Sequence, residues 1–264
     1  MGMMLRNTLI FAILAAGPAT AQNNMAQINL LPGWRTADGT HMAAIQISLA
    51  EGWKTYWRAP GEGGIPPSFD WAGSDNISDV HVHWPRPEVF SSNGLKSIGY
   101  SYEVILPVEI TPTVPDQAIN ANLDLHIGIC RDICVPVSVQ LSADFGTTQT
   151  DPVSAIQWAV DLRPDTQIEA GVHNVTCKTE EIRDGIRLSA TMDAPELVSE
   201  NIVVELSDSD VWVSEAQSAR NGRNLTTVVE MVPPNAQPFA LDPNQVRITL
   251  IGENRAVEIL GCTL

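Results

Sequence analysis

Two cysteines separated by three residues, in the stretch LHIGICRDICVPV (125–137), are the side chains of this sequence best suited to chemistry. Cys130 and Cys134 can close a disulfide, trade it with a thiol of another protein, or bind a soft metal as two thiolates. In a straight strand, residues four apart lie about 13 Å from each other, whereas a disulfide needs Cα atoms about 4.4–6.8 Å apart. Bonding therefore requires the chain to reverse, with Arg131-Asp132-Ile133 as a three-residue hairpin loop and Cys130 facing Cys134.

The flanking residues agree with that reversal. The register sets Ile129 opposite Val135, Ile127 opposite Val137 and Leu125 opposite Val139, so every odd position is apolar. The even positions, Asp124, His126, Gly128 and Cys130, then Cys134, Pro136, Ser138 and Gln140, are mostly polar or small. Side chains alternate between the faces of a sheet, so the pairing predicts both sulfurs on its outside, toward solvent or a covering loop. A bulge at the tip is the device that would shift this register. Two other readings stand beside thiol exchange. One is an inert staple, although so short a loop removes little entropy from the unfolded chain. The other is a two-thiolate metal site. An exposed disulfide closing a short loop is the labile kind used in exchange.

Cys177 and Cys262 read differently. A bond between them closes a loop of about 85 residues and contributes up to about 4 kcal/mol in the chain-entropy model, which is a structural clamp. Four cysteines allow three pairings. The pairing adopted here is 130–134 with 177–262, and free thiols at 177 and 262 are the alternative.

The redox reading needs an oxidising compartment, and the N-terminus supplies the address. Residues 1–21 hold a basic start at Arg6, an apolar run from Leu9 to Ala16 and the small-x-small site Ala19-Thr20-Ala21, the three parts of a secretory signal peptide cleaved after Ala21. No later run approaches the roughly 20 apolar residues that span a bilayer, so the expectation is an exported protein that is not inserted in the membrane. A net charge of −16 argues against nucleic acid or anionic lipid as a partner.

The elements that position the cysteines are short apolar alternations broken by Gly, Pro, Asn and Asp. Ile45-x-Ile47-x-Leu49, residues 104–110 and residues 123–129 keep period two, the pattern of an all-β sandwich. DPVSAIQWAVDL (151–162) breaks it with the spacing of a short amphipathic helix. Beyond Arg163-Pro164-Asp165, about six further strands are expected, around 186–188, 202–206, 211–213, 227–229, 246–250 and 257–259. The predicted fold is all-β, two immunoglobulin-like sandwiches in series joined by a short helix. The expected boundaries are 22–148 for the first sandwich, 149–165 for the helical linker and 166–264 for the second.

Other motifs carry less. Trp53, Tyr56 and Trp57 precede APGEGGIPP and read either as core packing or as an aromatic platform beside a rigid loop. His81-x-His83 places two imidazoles on one strand face, but a metal needs a third ligand, and no metal or cofactor is assigned. No nucleophile elbow, phosphate loop or zincin signature is present.

Four segments, GWKTYWRAPGEGGIPPSFDW (52–71), HWPRPEVF (83–90), SIGYSYEVILPVEI (97–110) and CRDICVPV (130–137), give residues 22–145 a resemblance to a known family. They resemble the N-terminal periplasmic domain of the thiol:disulfide interchange protein DsbD, and more closely the ScsB-type reductases associated with copper tolerance. Residues from about 166 onward look like the extra sandwich of ScsB-type proteins. The resemblance implies an immunoglobulin-like domain in the periplasm whose cysteine pair shuttles electrons, with Cys134 attacking and Cys130 resolving. It also implies a cap loop at 90–100, where Phe90, Leu95 or Tyr100 covers the disulfide and meets the partner. Ser91, Ser92 and Asn93 stand where the family carries acidic and aromatic residues. The family's transmembrane reductant and thioredoxin-like domain are not in this sequence. Exchange is therefore expected in trans, with a membrane-embedded thiol reductant and thioredoxin-like periplasmic proteins. The competing class is a binding module that sequesters Cu(I) with reduced cysteines or docks a partner.

Overall fold

The structure is a computed structural model that describes residues 22–92, 94–207 and 210–264; the expected signal peptide, residues 1–21, lies outside the described residues. The N-terminal half begins with β1 (Gln22–Asn23), β2 (Ala26–Arg35), β3 (His41–Leu49), β4 (Lys54–Gly61), β5 (Ser68–Asp70) and β6 (Asp79–Val82). It continues with β7 (Glu88–Ser92), β8 (Leu95–Ser101), β9 (Glu103–Thr111), β10 (Ile119–Cys130) and β11 (Cys134–Phe145). These strands build two antiparallel sheets, β1-β2-β3-β9-β6 and β11-β10-β4-β8-β7, with β5 added beside β10. The alternating apolar positions of both sheets meet between them, where Ile45, Trp57, Val108, Leu125 and Ile129 are fully buried. This is the sandwich that the period-two pattern predicts.

The first sheet is buried on its other face as well. There α1 (Ser154–Asp161) lays Ile156 and Ala159 against Trp34, Met42, Ala44 and Ile105. The expected helix thus forms, but shorter: Val153 is its extended N-cap and Pro152 stays outside. Trp158 points outward at 61 % exposure.

The second half contains β12 (Asp165–Thr166), α2 (Gln167–Ala170), β13 (His173–Ile182), β14 (Gly185–Asp193), β15 (Asn201–Leu206) and β16 (Trp212–Val213). After these come β17 (Gln217–Asn221), β18 (Asn224–Val232), β19 (Val246–Ile251) and β20 (Ala256–Leu260). They form the sheets β12-β20-β19-β15 and β13-β14-β18-β16, with β17 also on β18. The core between them holds Leu188, Met192, Leu225, Ile248 and Ile259. The protein is therefore all-β and immunoglobulin-like; one pair, β12 with β20, runs parallel.

Side chains cross between the halves. Arg58 of β4 donates to Glu205 through Nε and Nη2 at 3.0 Å and to Glu258 at 2.8 Å, while its guanidinium lies 4.1 Å from the Trp57 ring centroid. Ile251 and Val203 of the second half pack against the first core.

Candidate functional site

β10 and β11 pair in register from Ile119–Phe145 to Cys130–Cys134, including Ile129–Val135, Ile127–Val137 and Leu125–Val139. Leu125, Ile127, Ile129, Val137 and Val139 point into the core, whereas Asp124, His126, Pro136, Ser138 and Gln140 are exposed on the opposite face. The Arg131 amide donates to the Ile133 carbonyl at 3.2 Å, closing the loop, and the Ile133 side chain stands out at 71 % exposure. Cys130 and Cys134 are disulfide-bonded with Cα atoms 4.1 Å apart.

Both sulfurs lie on the outer face, but they are not equivalent. Cys134 is exposed, whereas Cys130 is only 6 % exposed and lies outside the hydrophobic core cluster. The cover is Tyr56. On β4, Lys54 is the register partner of Cys130 and Thr55 that of Ile129, and the Thr55 hydroxyl donates to the Gly128 carbonyl at 3.0 Å. Trp57 enters the core, while Tyr56 lies over the outer face of Gly128. A Cβ on Gly128 would stand 3.0 Å from the tyrosine ring and 2.7 Å from the Ile65 side chain, so the absent side chain is what admits the ring. The Tyr56 hydroxyl lies 2.9 Å from Cys130 Sγ, 3.1 Å from Cys134 Sγ and 3.2 Å from the Gly63 carbonyl. Burial pushes the phenol pKa up, so it is a protonated donor at neutral pH.

The loop after β4 is a lid on that tyrosine. At Gly61, φ is +78° and a Cβ would meet the Lys96 carbonyl oxygen at 2.7 Å, so the turn needs glycine. Gly64 then brings the backbone against Pro60 and the Tyr56 ring, since a Cβ there would stand 3.0 Å from the ring. Of the aromatic residues before APGEGGIPP, Trp57 is core, Trp53 packs at its margin beneath Arg131 at 5.1 Å, and Tyr56 reaches the sulfurs.

The stretch read as a cap is a regular hairpin in which Phe90 pairs with Ser97 and Ser92 with Leu95. The Phe90 ring lies 4.1 Å below the Lys54 ammonium, so it stands one side chain away from Cys130. Leu95 projects at 52 % exposure. Tyr100 is elsewhere than the sequence reading put it. It shares the inner face of β8 with Ile98, is 5 % exposed within the core and donates to the Pro85 carbonyl at 2.8 Å. Its parity on the strand turns it inward, and the aromatic over the disulfide is Tyr56.

The other candidates lie apart from this site. Cys177 and Cys262 are bonded with Cα atoms 5.7 Å apart, and Cys177 is 2 % exposed in the second core. His81 and His83 stack edge to face with ring centroids 4.7 Å apart, and His83 Nε2 lies 3.0 Å from the Glu109 carboxylate. Among the described residues, no group of three or more His, Cys, Asp and Glu side chains is arranged to hold a metal.

Residues 27–145 match the family model described as thiol:disulfide interchange protein DsbD, N-terminal. This segment is similar to the DsbD N-terminal family. The matched segment runs from β2 to the end of β11 and so contains Tyr56, its lid and both cysteines of the hairpin. The whole chain is also similar in fold to the crystal structure of the N-terminal periplasmic domain of ScsB from Proteus mirabilis. That likeness has a TM-score of 0.67 at 20 % identity and covers 93 % of this chain and 96 % of that one. No curated protein matches the chain. The segment similar to the N-terminal region of thiol:disulfide interchange proteins thus contains a bonded cysteine pair at a hairpin tip.

Proposed function

We propose that the protein is a periplasmic electron relay that takes two electrons from a membrane-embedded thiol reductant and passes them to thioredoxin-like client proteins through Cys130 and Cys134. In the reduced pair, the Cys134 thiolate attacks a client disulfide, forming a mixed disulfide and releasing one client thiolate. The Cys130 thiolate then attacks Cys134 Sγ, which closes the 130–134 disulfide and releases the second client thiolate. The client gains two electrons, the pair loses two, and a dithiol of the membrane reductant restores it.

The observation that carries this reading is the inequality of the two sulfurs. Cys134 is exposed to an incoming protein, while Cys130 is sheltered under Tyr56 and placed to resolve. A Tyr56 O–H donated to a thiolate favours the charged, attacking form. The DsbD N-terminal match and the periplasmic domain of ScsB support the compartment and the class of partner.

The test is trapping. Reduced Cys130→Ala, mixed with an oxidised thioredoxin-like protein, is expected to accumulate a mixed disulfide through Cys134, and reduced Cys134→Ala is not. Equal trapping by both variants, or none by Cys130→Ala, overturns the assignment.

A further inference from the structure

The two sandwiches enclose a cleft of about 620 Å³, within the range of small-ligand sites. In a chain of net charge −16, its lining is locally inverted: Arg58, Arg163 and Arg247 stand against the carboxylate of Glu258. Two of these arginines are fully engaged. Arg58 holds Glu205 and Glu258, and Arg163 makes a two-point contact with Glu169 at 2.8 and 2.9 Å. Arg247 differs. Its Nε is buried without a hydrogen-bond partner, and the nearest carboxylate, Glu258 at 4.0 Å, already accepts from Arg58 at 2.8 Å. Among the described residues Arg247 donates no hydrogen bond, so of the three lining arginines it is the one whose guanidinium is free to meet an acceptor held in the cleft. The walls on either side are apolar and unusually bare. Ile168 is 89 % exposed, Leu260 is 62 % exposed, and Trp84 completes the lining.

We propose that this cleft binds an organic carboxylate that carries an apolar group. The Arg247 guanidinium takes the carboxylate by paired charge-assisted hydrogen bonds, and Ile168, Leu260 and Trp84 cover the apolar part. Arg58 and Arg163 hold the walls in place. The same chemistry is presented by a free amphiphilic acid and by the C-terminal leucine of a peptide. The lining includes neither cysteine of the hairpin.

Calorimetric titration of the full chain with octanoate, with the peptide Gly-Gly-Ala-Leu and with the C-terminal amide of that peptide tests the proposal. Binding of octanoate, of the free peptide or of both at one site per chain is expected, with the amide silent; the arm that binds identifies the source. Arg247→Gln should weaken binding roughly ten- to a hundredfold, the worth of a charge-assisted hydrogen bond. Leu260→Ser, a change at an exposed side chain that leaves folding intact, should weaken it as well. The proposal is overturned if neither acid binds, if the amide binds as well as the acid, or if a folded Arg247→Gln retains full affinity.

Discussion

Gly128 and Tyr56 share one space: the tyrosine ring lies where any side chain at position 128 would have to go. The hydroxyl reaches the sulfurs because the ring can lie flat on the hairpin beside them. Gly128→Ala should therefore do two things. It should destabilise the first sandwich by about 1–3 kcal/mol, as overpacking does. It should also uncover Cys130, so that alkylation of the reduced protein, followed by mass spectrometry, labels Cys130 faster than in wild type. Unchanged labelling would show that the ring is not the cover.

Tyr56→Phe keeps the ring and removes the hydroxyl. The folded oxidised protein should lose no more than about 1 kcal/mol. Loss of a donor to the thiolate should raise the pKa of the attacking thiol. Thiolate absorbance of reduced protein against pH checks this, and superimposable curves for variant and wild type would remove Tyr56 from the chemistry.

Arg58 joins the halves from a position only two residues beyond Tyr56. Its side chain is 13 % exposed and those of its partners Glu205 and Glu258 are 18 % and 26 % exposed. Arg58→Ala strands two carboxylates at the junction and should cost about 3 kcal/mol, the low end for breaking a buried ion pair. Denaturant unfolding should then separate into two transitions as the sandwiches uncouple. A single transition at the wild-type midpoint would show that the clamp contributes nothing.

His41 sets a pH dependence. It is 1 % exposed, stacks on Phe145 at 4.6 Å and bonds to the Pro32 carbonyl. Burial, aided by Arg35, lowers its pKa against the opposing pull of that carbonyl. The unfolded chain then binds the proton more readily than the folded one. The stabilisation is complete above the ordinary histidine value of 6.5 and is lost as pH falls through the lower folded value. NMR titration should place the His41 midpoint below 6.5. Thermal melts should lose part of their acid sensitivity in His41→Asn. A midpoint at or above the ordinary value would reverse the sign.

The hairpin was legible in the sequence because both of its strands alternate without interruption, so one register alone puts every apolar residue on one side. Tyr56 was not, because neighbouring aromatics on one strand face opposite ways, and only the sheet order that sets β4 beside β10 shows which meets the sulfurs. A usable sign was present in Gly128, a gap on the outer face of the cysteine strand that a large ring can fill. Tyr100 departs from the cap loop that the resemblance implies at 90–100, because the stretch is a strand and its parity with Ile98 sends it inward. In the second half, β13 and β17 escaped notice because HNVTCKTEEI and QSARN carry too few apolar residues to show a period. They are held by their ladders to β14 and β18 instead.

The bond between Cys177 and Cys262 has a mechanical consequence. Thr176 and Thr263 bridge in parallel beside it, and the Cys177 amide donates to the Thr263 carbonyl at 2.7 Å. Tension applied at Leu264 therefore passes through the sulfur link into residues before 177, and the loop of residues 178–261 carries none of it. Pulled from that end, residues 178–261 hang as a pendant on the line of force: they cannot lengthen under load until the link is reduced.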